Sequence, residues 1–148
     1  MDAIDILKID HQEVIAVLQS ILKTKPTAVK TREKLINKLH FLVKLHTTVE
    51  EKLIYPLGLN HPSLEKIIRE SFAEHEAVDM LLKKVLKVEV NDENWLAKCN
   101  VIKENLEHHI QEEEQNLFPA LNKVLSKEQL KEIGSKVLTL KQKQLMYA

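Results

Sequence analysis

Apolar positions recur at helical spacing along almost the whole chain. Ile4, Leu7, Val14, Ile15, Leu18 and Leu22 make a stripe about six turns long. Lys25-Pro26 ends it, because proline lacks the backbone donor and disfavours helix in the residue before it. A second helix is expected from about Thr27 to Tyr55, with Leu35, Leu39, Leu42, Val43, Val49 and Leu53 on one face. The segment from Pro56-Leu57-Gly58 to His61-Pro62 breaks the chain near its midpoint. A third helix is expected to start at Ser63 as N-cap and to bury Ile67, Ile68, Phe72, Val78, Leu82, Val85 and Leu86. After the turn Asn91-Asp92-Glu93-Asn94, a fourth runs from about Trp95 through Ile102, Leu106, Ile110 and Leu117 to Phe118-Pro119. Ser126 and Gln129 have the spacing of a capping box, which opens a short fifth helix from Glu128 to about Lys143. Four long helices with short links predict an all-α fold: an antiparallel up-and-down four-helix bundle with a short C-terminal helix.

Composition narrows this further. The 148 residues are expected to form one domain, 1–148, large enough to bury a core unaided. Two glycines and four prolines leave little turn chemistry for hairpins. Lys+Arg and Asp+Glu both number 22, so no net field draws nucleic acid or an anionic membrane. No apolar run is long enough to span a bilayer. The start MDAIDILKIDHQ carries acid where a secretion signal needs basic residues, so a cytoplasmic setting is expected. The single Cys99 excludes an internal disulfide and a thiolate-rich metal site.

The candidate chemistry lies in a repeat. HTTVEEKLIYP at 46–56 returns in register as HIQEEEQNLFP at 109–119. Each copy reads His, three residues, Glu, Glu, three residues, an aromatic, then Pro. Upstream, DHQEV around His11 echoes EHEAV around His75. His11 and His46 are 35 positions apart, His75 and His109 are 34 apart. Each half thus supplies one lone His and one His-x-x-x-Glu pair.

Helical spacing places His11, His46, Glu50, His75, His109 and Glu113 on the apolar stripes. A lone His on an apolar face is usually a satisfied core residue, and a His/Glu pair one turn apart is usually a surface contact. Six such residues, two of them carboxylates, with few Lys or Arg on the same stripes, cannot all be explained that way. Buried charges pair or bind metal, and four His with two Glu point to a two-metal site. His40 and His61 have no repeat partner and are expected in solvent. His108 sits about 100° around the helix from His109, outside the site. Glu51 and Glu114 repeat as well, either as carboxylates behind the ligands or as a solvated edge.

Over essentially its full length the chain resembles the hemerythrin-like, or HHE cation-binding, domains. The resemblance rests on the two lone His, the two His-x-x-x-Glu pairs and the aromatic-Pro endings Tyr55-Pro56 and Phe118-Pro119. Ferritin-like di-iron proteins match less well, since their pairs run Glu-x-x-His. The resemblance implies two non-haem irons inside the bundle, bridged by the two carboxylates and an oxo or hydroxo group. Residue by residue, it puts His11 and His46 on one metal, His75 and His109 on the other, and Glu50 and Glu113 across both. Imidazole and carboxylate together suit iron, with manganese or zinc as possible substitutes. Oxygen-carrying hemerythrins have a further His four residues after the third-helix His; that slot holds Asp79 here. Asp79 is expected to face inward, as a seventh ligand or as an acceptor orienting a His. The expected partner is a small diatomic ligand or peroxide. The function expected is binding or sensing of O2, NO or iron, with redox catalysis on peroxide or NO, or a helical bundle with incidental metal, as alternatives.

Overall fold

The structure is a computed structural model, and it describes residues 1–146. Helix α1 spans Ala3–Leu22 and opens on a capping box between Asp2 and Asp5. Helix α2 spans Val29–Val49 and α3 spans Tyr55–Gly58, joined by a π-helical turn at Glu50–Ile54. Helix α4 spans Pro62–Val85 and α5 spans Trp95–Glu112. A second π-helical turn, Glu113–Leu117, joins α5 to α6, Phe118–Val124. Helix α7, Lys127–Met146, begins on the expected capping box, with the Ser126 and Gln129 side chains accepting from each other's backbone N–H at 3.1 and 2.8 Å. The architecture is the expected all-helical bundle, with no strand among the described residues.

Two local expectations give way. Helix α4 starts one residue before Ser63: Pro62, with no N–H to leave unpaired, takes the first turn and His61 precedes it without a side-chain cap. The second and fourth helices are also not regular through to their aromatic-Pro ends. Pro56 and Pro119 cannot donate to the carbonyl four residues back, and their rings would strike it. Widening the preceding turn by one residue relieves both conflicts, so the Tyr55 N–H bonds the Glu50 carbonyl and the Phe118 N–H bonds that of Glu113.

The core is divided into two apolar clusters. One contains Leu7, Val49, Ile54, Tyr55, Ile68, Leu117, Phe118 and Val137. The other contains Val14, Leu18, Leu39, Val43, Val78, Leu82, Trp95, Cys99 and Ile102. At the end of the second cluster the buried Arg32 donates to Thr24 Oγ1, Thr24 O and Val90 O, and lies 4.8 Å over the Trp95 ring. It thereby ties the α1–α2 and α4–α5 connections together. Cys99 is fully buried, and burial pushes its thiol up to about 12. Between the clusters runs one polar layer. No helix among the described residues is long and apolar enough to cross a membrane.

Candidate metal centre

The polar layer is built from one residue set per helix. Helix α1 supplies His11, α2 His46, α4 His75 and α5 His109, while the two π turns begin at Glu50 and Glu113. All six are at most 6% exposed. The His11 and His46 Nε2 atoms are 3.1 Å apart, and those of His75 and His109 are 3.0 Å apart. Glu50 Oε1 lies 3.1 Å from both His46 Nε2 and His75 Nε2. Glu113 Oε1 lies 3.1 Å from His11 Nε2 and 3.4 Å from His109 Nε2. Each carboxylate therefore touches one imidazole of each pair. Two groups of four result, His11-His46-Glu50-Glu113 and Glu50-His75-His109-Glu113, with both carboxylates in common.

Behind every imidazole stands a carboxylate. The Nδ1 atoms of His11, His46, His75 and His109 contact Glu114, Asp10, Glu51 and Glu74 at 2.7, 3.1, 2.7 and 2.8 Å. Such a partner fixes ring orientation and leaves Nε2 as the free donor. The pattern follows the repeat: Asp10 and Glu74 precede the lone His of their own half and hold its other His. Glu51 and Glu114 follow the bridging positions and reach across to the opposite half. The repeat breaks at the aromatics. Tyr55 donates its hydroxyl hydrogen to Glu113 Oε2 at 2.6 Å, and the oxygen also lies 3.2 Å from Glu50 Oε1 and 3.0 Å from His75 Nε2. Phe118, its counterpart, stacks its ring on His11 at 5.7 Å.

Neutral imidazoles that give Nδ1–H to these carboxylates leave Nε2 lone pairs and Glu oxygens facing one another as acceptors, and among the described residues the Tyr55 hydroxyl is the donor to them. Glu50 Oε2 is buried with no hydrogen-bond partner at all. A buried carboxylate oxygen left bare is costly, so the layer calls for cations between its acceptors. Mixed imidazole and carboxylate donors fit a divalent or trivalent transition metal. Without metal, protons serve: burial alone would lower His46, but Glu50, Asp10 and Glu113 outweigh it and hold the imidazolium well above its usual range. His109 is likewise opposed by burial yet raised by Glu113, Glu50 and Glu74 to about 10. Glu50 is pulled well below its usual range, the neighbouring imidazoles overriding burial.

Residues 2–121 match the hemerythrin HHE cation-binding domain. The chain belongs to that family. It is 28% identical over 122 residues to a hemerythrin-like protein of Schizosaccharomyces pombe, covering 81% of this chain. The chain spans 59% of that yeast protein's length. It is also similar to the crystal structure of a hemerythrin HHE cation-binding domain-containing protein from Mycobacterium kansasii. There the TM-score is 0.86 at 25% identity, covering 97% of this chain and 87% of that one.

Within this hemerythrin domain, the structure brings together six of the seven residues singled out by sequence and leaves Asp79 out. Its side chain is 32% exposed and paired with Lys83 at 2.9 Å, which holds its carboxyl below the usual range. The physical reason is rotational: four residues past His75 leave a drift of about 40°, enough at the bundle edge to turn Asp79 toward solvent. His108 is 65% exposed and outside the layer, as expected. His40 and His61 are half-buried rather than in solvent, and neither joins the layer. Sequence reasoning missed Asp10, Glu74 and Tyr55. The signal for the first two was present, an acid immediately before the lone His of each half.

Proposed function

We propose that this hemerythrin domain holds two irons, His11 and His46 serving one, His75 and His109 the other, with Glu50 and Glu113 shared. The single observation behind this is that the two four-residue groups have both carboxylates in common. The donor set supports iron over a soft, thiolate-bound metal. Bound there, the iron pair would supply affinity for O2, NO or peroxide together with a change of oxidation state. Each position would offer two imidazole nitrogens and two carboxylate oxygens from the protein, a donor set small enough to leave a bound ion open to a small ligand. The apolar clusters on both sides admit nothing large. Binding or sensing of such a ligand is the function these features support best.

Tyr55 favours a second reading, redox turnover of peroxide. Its burial and the charges of Glu50 and Glu113 push the phenol far up, so it keeps its proton beside both shared carboxylates. A proton source at that place serves a reaction as well as a bound ligand. Metal analysis of protein grown in iron-rich medium, with optical spectra before and after O2, NO and peroxide, tests both. About two irons per chain and a spectrum changed by O2 or NO without turnover support binding; steady peroxide consumption supports catalysis. Fewer than two ions per folded chain would sink the dinuclear reading.

A further inference from the structure

Helix α7 lies outside the repeat, yet it reaches the polar layer. Gly134 sets its path: a Cβ there would meet Met1 O at 2.9 Å and Ala3 N at 3.1 Å, so only glycine lets α7 lie flush on the start of α1. Two turns further on, the same face presents Lys141, whose ammonium donates to Asp10 Oδ1 in a short, largely buried ion pair. The other oxygen of Asp10 accepts from His46 Nδ1 at 3.1 Å. Among the described residues, Glu51, Glu74 and Glu114 have no Lys or Arg within ion-pair distance. Four outwardly similar carboxylate–imidazole pairs are therefore three plus one.

We propose that Lys141, acting through Asp10 and His46, makes the two metal positions unequal. This deepens the metal reading above and rests on it. A carboxylate at Nδ1 raises the basicity of an imidazole and strengthens its bond to metal. Lys141 shares Asp10 and draws its charge away, so His46 is the weakest of the four donors. The ammonium also places positive charge near the His11/His46 position and opposes charge accumulating there. That position is the second to fill and the one that prefers the less charged ion. Lys141 also helps hold Asp10 in place, an opposite influence. It is the smaller one, because Asp10 is 10% exposed on α1 and keeps its bond to His46. Lys141 is a positioning residue; it touches neither ligand atoms nor the space between them.

The test is anaerobic titration of the full, metal-freed chain with Co2+, followed by its visible bands. Wild type is expected to take two ions in two resolved steps. His46→Ala should abolish the weaker step, which assigns it. Lys141→Met, which keeps bulk and loses charge, should tighten that step by several-fold up to about tenfold and leave the other unmoved. Lys141→Arg should restore the separation, which loss of helix packing alone would not explain. Equal constants for wild type and Lys141→Met, or an equal change in both steps, would overturn the proposal. Uptake of fewer than two Co2+ by wild type would instead overturn the metal reading beneath it.

Discussion

The two halves of the bundle carry the same candidate ligands in the same order, yet they are not equivalent. Around His11 and His46 the layer meets the flat face of Phe118 and, through Asp10, a lysine from α7. Around His75 and His109 it meets the hydroxyl of Tyr55, while Glu74 has only the exposed His108 at 3.5 Å behind it. What is duplicated is the set proposed to hold two metals: imidazoles, shared carboxylates and a π turn to aim them. What differs is the surroundings: an aromatic face and a lysine-bound aspartate on one side, a phenol on the other. A repeated set of side chains can thus sit in unequal surroundings without one of its members changing.

The comparison breaks most completely at the shared residues. Glu50→Ala or Glu113→Ala should lose metal from both positions, whereas His11→Ala should weaken mainly one. Elemental analysis should then give well under one ion per chain for the Glu variants and about one for His11→Ala. Full metal content in both Glu variants would remove the bridging assignment.

Next come the carboxylates behind the ligands. Glu114→Gln should weaken the first position and Glu51→Gln the second, each by about 10–100-fold in competition with a chelator. Because the two residues play matched roles, a loss seen for one and absent for the other would break the twofold scheme.

Metal removal should also make stability more dependent on pH. His109 is raised in the folded protein from an ordinary value of 6.5 to about 10. Its contribution to the metal-free fold is complete below pH 6.5 and is lost as pH rises toward 10. Metal must displace those protons, so the loaded protein should gain stability over metal-free protein as pH rises from 6.5 to 9. Denaturant midpoints of both forms across that range check that the metal-free midpoint falls while the gap between the two widens.

Tyr55→Phe makes the two halves alike at the aromatic position. Losing a hydrogen bond to a buried charged carboxylate should destabilise the metal-free protein by about 1.5–3 kcal/mol. Denaturant unfolding measures this, and an unchanged midpoint would mean that the hydroxyl does not serve Glu113. The smallest effect is expected at Asp79. Asp79→Asn should leave metal content unchanged and cost less than about 1 kcal/mol, because its partner Lys83 is 65% exposed.

Much of this was legible in the sequence because two periodicities coincide. Apolar spacing gave the helices, and the repeat gave the six buried polar residues lying on their stripes. The π turns were not legible, since apolar spacing predicts regular helix up to each aromatic. At about 100° per residue, Tyr55 would lie about 140° around from Glu50 and face away. The widened turn brings the two within 3.2 Å. Asp10 and Glu74 escaped for a different reason: each sits one step off its own stripe and serves an imidazole on the neighbouring helix. Spacing within one helix does not show such partners. Asp79 was misplaced by treating four residues as a whole turn, an approximation that holds at the centre of a buried face and fails at its edge.

The lone thiol has a consequence of its own. Sulfur is attacked by oxidants as thiolate, and Cys99, fully buried with its pKa pushed up to about 12, is almost never in that form. A protein whose interior would meet O2 or peroxide thus carries its one thiol where it does not react. Prolonged exposure to peroxide should leave the chain free of disulfide-linked dimers and of sulfenic acid. Any oxidative ageing would fall first on exposed sulfur, at Met1, Met80 and Met146.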